Sequence, residues 1–364
     1  MSKSVFSFGS QSRNPSRSTV LVGLLGLSVA ASVLAEVKGP AYEGRAATLA
    51  AYANDFVVTG IGSGEIAGLA FDGSHLYTAN FGDQSISKVS QAGVTEARYS
   101  LVPAAAPTIK PNPVSIAFDG QRLWTANETS NSVSRVSGTG AGQTLSVIDI
   151  PLAAGAQPLG LAVLRENVYS VNSGTNSVAK IRGAGVDQTY TLPADAMRPV
   201  AIASDGTNLW IASQGPTSGA APSVTRLSPS DSATKRVLLP KNSAPVAIAF
   251  DGTHVWTANS GTNTVSKIAV DTLRLVGTVT LPAGSGPAAI AIDQPGYSSS
   301  AGPIDPKIYI WTANVANNTV SKLDAATGAV VANYPVGRTP GDIVFDGTHI
   351  WVSGGNVLMK IRAR

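Results

Sequence analysis

Few side chains in this chain can move a proton or hold a metal, and most of them recur at fixed intervals. The three histidines, His75, His254 and His349, each stand two residues after an Asp-Gly pair: Asp72-Gly73, Asp251-Gly252 and Asp346-Gly347. A type of residue that returns in the same turn is expected to be solvated and structural, not catalytic. Asp72, Asp119, Asp205, Asp251, Asp293 and Asp346 share one slot, which suggests calcium. Each copy of the segment also ends in a base (Lys88, Arg135, Lys180, Arg226, Lys267, Lys322, Lys360). Ion pairs between turn Asp and base are therefore expected in place of metal sites. There is no cysteine, hence no thiol nucleophile and no disulfide. No HExxH, GxSxG or GxxxxGK[ST] occurs, and no cofactor is expected.

One carboxylate breaks the pattern. Asp342 occupies a slot that holds Gly68, Ser115, Gly160, Ala201, Ala247 and Ala289 in the other copies. A charge among such small residues, near the centre of the fold, must be solvated or paired. Arg338 just ahead of it, and Lys110, Arg198 and Lys241 from equivalent loops, are its candidate partners. Glu65, Asp83 and Glu128 add acid on the first two copies. Asp342 is the best candidate for a proton acceptor, and Asp342, Arg338, Glu65, Lys110, Arg198, Lys241 and Glu128 form the candidate ligand-binding set.

The elements that must carry these residues follow from the repeat. Pro245 to Ile268 reads PVAIAFDGTHVWTANSGTNTVSKI, and six other segments match it. The ends of their central strands, Asn80, Asn127, Asn172, Ser213, Asn259, Asn314 and Ser353, lie 47, 45, 41, 46, 55 and 39 residues apart. Such periods mark propeller blades. Each copy reads as strand, Asp-Gly turn, strand, loop, strand, with a fourth strand after most copies, and four antiparallel strands make one blade. The fold class is therefore all-β, a seven-bladed β-propeller over residues 55–364, with an insertion at 294–306 in the sixth copy. The last copy stops after its third strand, and Asp55 to Gly60 can supply the fourth. All five tryptophans (Trp124, Trp210, Trp256, Trp311, Trp351) share one slot, with Tyr77 and Tyr169 in the other two copies, as expected of side chains that fill the gaps between blades.

Ahead of the propeller, residues 1–35 have a basic start, an apolar stretch from Thr19 to Ala35 and small residues at Val33-Leu34-Ala35, which predicts a signal peptide cleaved before Glu36. Residues 36–54 read as a polar lead-in. The leader holds Lys3, Arg13 and Arg17 and no acid, so the rest of the chain has a net charge of only +1 despite an overall +4. A body so near neutral, with no Lys/Arg run, excludes a broad nucleic-acid footprint. After cleavage no membrane span is expected, and a monomer in a bacterial periplasm or medium fits the absence of cysteine.

The string TANSGTNTVSKI, with its relatives at Thr125 and Thr312, resembles the repeats of the YVTN family of bacterial surface and periplasmic propellers. It is also similar to the streptogramin B (virginiamycin B) lyase group, whose blades carry a comparable Asp-Gly turn and Trp-containing strand. The resemblance covers about residues 55 to 364 and implies the propeller fold. The lyase resemblance further implies histidine and glutamate near the starts of inner strands. Here those slots hold Val114, Leu159, Val200, Val246, Ala288 and Gly341, none of which transfers a proton. The expected function is thus an exported envelope propeller that binds a small molecule, glycan or protein on its loop-bearing face. The alternative is a streptogramin B lyase-like or polysaccharide-acting lyase or hydrolase with a rearranged site.

Overall fold

A computed structural model describes residues 58–61, 65–102, 110–140, 145–215, 221–293 and 307–363. The expected leader and lead-in (1–54) and the insertion at 294–306 lie outside these residues. The chain from 55 onward forms seven sheets, each of four antiparallel strands, and the described residues contain no helix. The first blade is built from Ile66–Phe71, His75–Asn80, Ser85–Ser90 and Thr95–Ser100, in that order from the inner edge outward. The inner strands of the others are Pro113–Phe118, Pro158–Leu164, Pro199–Ser204, Pro245–Phe250, Pro287–Asp293 and Ile343–Phe345.

The Asp-Gly turns return each inner strand to the second strand. Gly73, Gly120, Gly206, Gly252 and Gly347 take φ between 87° and 101°, a region that side chains with a Cβ avoid, so the glycine is required by the turn itself. Asn131, Asn176, Asn263 and Asn318 sit at φ of 49° to 55° just before the third strands. Asparagine tolerates that left-handed conformation better than most residues, which accounts for its recurrence there.

The second strand of each blade is buried at nearly every position, so both its faces are covered, and the core lies between blades. Trp210, Val224 and Val237 of the fourth blade pack with Ile248, Val255 and Ile268 of the fifth. The ring closes in the same way, because Trp351 and Leu358 of the last blade pack with Ile66, Leu69, Leu76 and Val89 of the first. Val58–Gly60 completes the last blade as its outer strand, in the register Val58↔Met359, Thr59↔Leu358, Gly60↔Val357. N-terminal sequence thus covers the edge that the final strand would otherwise expose.

Candidate functional site

The turn carboxylates are fully engaged, but not by the partners expected from the sequence. Trp124, Trp210, Trp256 and Trp351 donate their indole N–H to Asp119, Asp205, Asp251 and Asp346 at 2.7 to 2.8 Å, and the Tyr77 hydroxyl donates to Asp72 at 3.1 Å. The other oxygen of each Asp accepts the backbone N–H groups of its own turn, as Asp251 does from Thr253 and His254. Burial alone would raise the Asp251 carboxyl, but the bonds from Trp256, His254 and Thr253 overturn that effect and hold it below its ordinary value. Among the described residues Asp72, Asp119, Asp205, Asp251 and Asp346 show no ion pair with a third-strand base. Those bases reach across to carbonyls of the following blade instead: Arg135 to Gly183, Lys267 to Ala325, Lys322 to Ala363 and Lys360 to Gln91, at 2.6 to 2.7 Å. The tryptophan stands between base and Asp, so Lys267 and Lys360 lie over the rings of Trp256 and Trp351 while the indole N–H takes the carboxylate. Among the described residues no three His, Cys, Asp or Glu side chains gather in a manner that could hold a metal.

At the opposite ends of the inner strands the seven blades surround a cavity of about 290 Å³. In the first six blades the inner strand begins with a bulge, since its pairing with the second strand skips one residue between Ile66 and Gly68, Pro113 and Ser115, and so on, whereas the last blade pairs Ile343↔Val352 to Phe345↔Ile350 without one. The skipped residues and Gly341 line the cavity as a collar: Val114, Leu159, Val200 and Val246 on blades two to five, but only Ala288, Gly341 and Ala67 on blades six, seven and one. The collar side chains are therefore smallest next to the last blade, where Asp342 is the only ionisable residue of the lining among the described residues.

Asp342 reaches sideways along that wall. The slot it occupies faces the next blade closely; a Cβ added at Gly68 would stand 3.1 Å from the Ser115 Cα, which explains why other copies keep small residues there. The neighbouring first blade offers Gly68 and the room that comes with it. One Asp342 oxygen accepts the Leu69 backbone N–H at 2.7 Å and the other accepts that of Ile343 at 2.8 Å. The Asp342 N–H itself donates to Ser353 Oγ at 2.8 Å. The carboxylate thus bridges the inner edges of the last and first blades. It keeps some surface open to the cavity, yet the packing removes most of its water, and this desolvation outweighs the two amide bonds and pushes the carboxyl up to about 6.

None of the predicted basic partners forms an ion pair with Asp342. Arg338, Lys110, Arg198 and Lys241 are all exposed, each in the segment leading into an inner strand, with Glu65 exposed and Glu128 half-buried in the same rim. The backbone of this rim is well ordered by its own bonds, as in Gln214 N–H to Arg198 and Phe81 N–H to Glu65. Asp83 is withdrawn by an ion pair with Arg98. The structure therefore distributes the set round the mouth, and only Asp342 lines the cavity. The three histidines lie in the Asp-Gly turns at the other end of the strands; His254 and His349 share Nδ1 contacts of 2.7 Å with Thr253 and Thr348. That second mouth opens on a cavity of about 890 Å³ beside Phe71, Phe250 and Phe345. The uneven collar, and the amide partners of Asp342, escape motif reading, although the collar is visible as one column of the aligned copies.

The arrangement defines a seven-bladed β-propeller with a small cavity, ringed by the starts of the inner strands, that carries one carboxylate. Virginiamycin B lyase from Staphylococcus aureus has a similar fold, at 17% sequence identity and a TM-score of 0.69, over 85% of this chain and 99% of that one. A catalytically inactive form of that lyase with quinupristin matches at 18% identity and a TM-score of 0.67, over 85% of this chain and 100% of that one. Hydrazine synthase of Kuenenia stuttgartiensis matches at 16% and 0.64, over 82% and 96% of the two chains. At these identities the likeness is one of fold. No family model matches the chain, and no curated protein does.

Proposed function

We propose that this chain is an exported cell-envelope propeller that binds a ligand in the channel mouth on the face where the inner strands begin. The observation that carries this reading is the 290 Å³ cavity in which, among the described residues, Asp342 is the only ionisable one of the lining. Small-molecule sites are concave and furnished with a few placed polar groups, and this cavity is a recess whose lining surface is more polar than apolar and carries one carboxylate. Export rests on the tripartite leader, and cleavage after Ala35 would give a mature chain beginning at Glu36.

A second reading is favoured by the raised carboxyl of Asp342 together with the likeness of fold to streptogramin B lyases. A group with a pKa near 6 can accept a proton, so a lyase with a site rearranged onto Asp342 is the enzymatic option. The histidine and glutamate that such lyases are expected to use have no counterpart in the collar.

A panel of acidic and neutral glycans and cyclic peptides, screened against the wild type and Ala288→Phe, tests the proposal. The larger side chain fills the cavity wall, and binding should fall at least about tenfold with the fold retained. Product formed from a bound compound, lost in Asp342→Asn, would establish the lyase reading. Hits that bind both proteins equally would contradict a channel site.

A further inference from the structure

Resting on the channel reading above, we infer that the cavity takes a slender cationic group, a primary ammonium on an apolar stem such as a lysine side chain or an alkyl amine, with Asp342 as its counter-ion. Three observations converge on this chemistry.

The first is the carboxylate's unfinished coordination. An ionised carboxylate offers about four lone-pair sites. Two are taken, by the amides of Leu69 and Ile343, and among the described residues no cationic side chain pairs with it. Neither inner strand against which it lies, Ile66–Phe71 or Ile343–Phe345, carries a charged residue, and the second strand presents only Ser353 to it. A poorly solvated carboxylate with neutral hydrogen bonds and no counter-charge is the situation in which a cation from outside binds well. The elevated carboxyl pKa of Asp342 reports the same lack of compensation.

The second is shape. Val114, Leu159, Val200 and Val246 narrow the collar on four successive blades, whereas Ala288 and Gly341 leave it open directly beside Asp342. A thin methylene stem passes such a gap beside the Ala288 and Val246 side chains, and a branched or bulky cation does not. The third is the absence of competing chemistry in the lining. No basic group is available there to hold an anion, and the exposed rim has both signs, with Arg338, Arg198, Lys241 and Lys110 against Glu65 and Glu128. Selection for charge therefore resides in the cavity.

Titration of the full chain with n-hexylammonium, 1-hexanol and hexanoate, followed by NMR or calorimetry, tests this. Hexylammonium should bind at least about tenfold more tightly than either congener, the factor that a charge-assisted hydrogen bond supplies. Asp342→Asn, which keeps an acceptor for one of the two amides, should remove that preference. Ala288→Leu, which narrows the open side and leaves the carboxylate in place, should weaken hexylammonium binding by a similar factor. Equal affinity for the three probes, a preference that survives in Asp342→Asn, or no binding of hexylammonium at all would overturn the inference. Binding of hexanol or hexanoate that Ala288→Leu abolishes would overturn the cationic class while leaving the channel as the ligand site.

Discussion

At the scale of single residues, Asp342 couples the channel to the closure of the ring. Its carboxyl, near 6 in the folded chain, titrates near 4 when unfolded, so the folded state holds the proton more tightly. The resulting stabilisation is complete below about pH 4 and is lost as pH rises through about 6. Wild type should therefore lose roughly 1 to 3 kcal/mol relative to Asp342→Asn between pH 4.5 and 7.5, a few degrees in Tm by differential scanning fluorimetry. Parallel pH profiles for the two proteins would show that Asp342 is well solvated. The turn carboxylates of Asp205, Asp251 and Asp346 are held low by their indole and amide donors, so their stabilising contribution is lost only below about pH 4 and does not enter this window. Asp342 is legible in the sequence because it stands in a column of Gly, Ser and Ala. Its partners are not, because contact between the last and first blades depends on closure of the ring, and because the donors are backbone amides that no side-chain pattern announces. The turn Asp was legible as structural for the right reason, its recurrence, but the indole N–H five residues on outcompetes the distant base.

At the scale of the element, a buried polar network ties the second strand to the third. In the first blade Thr78 donates to Asn80, whose side-chain amide donates to Ser85 and Ser87, and the same pattern recurs around Asn127, Asn259 and Asn314. The fourth blade departs from it. Ser213 replaces the asparagine, and Ser213 Oγ, Ser223 Oγ and Thr225 Oγ1 are buried without a partner among the described residues. Unmade hydrogen bonds in a dry interior cost more than made ones return. Ser213→Asn should rebuild two of them and raise stability by about 1 kcal/mol, read as a rise in Tm of the purified chain. A fall would mean that the side chain does not fit between Ser223 and Thr225. The strands themselves were legible from the period, the Asp-Gly turns and the tryptophan column. The bulge at the start of six of the inner strands was not, since an extra residue in an apolar run has no signature of its own.

At the scale of the whole molecule, seven blades packed face to face leave the structure dependent on one seam. Val58–Gly60 closes it at the outer edge, the Trp351 cluster in the middle and the Asp342 carboxylate at the channel. Deleting residues 36–60 should bare the strand Val357–Arg362, lower Tm and promote aggregation through the open edge, whereas an unchanged transition would mean that the inner contacts suffice. The same packing gives the channel two unlike mouths: a narrow collar with one carboxylate, and a wider opening beside Phe71, Phe250 and Phe345. That a ligand enters at the collar is the central claim, and it is tested most directly by methyl-labelled NMR of the full chain during titration with hexylammonium or any hit from the ligand panel. Shifts concentrated in the methyl groups of Val114, Leu159, Val200, Val246 and Ala288 are the predicted result, and shifts confined to Ile292, Val344 and the surroundings of Phe250 and Phe345 would contradict it.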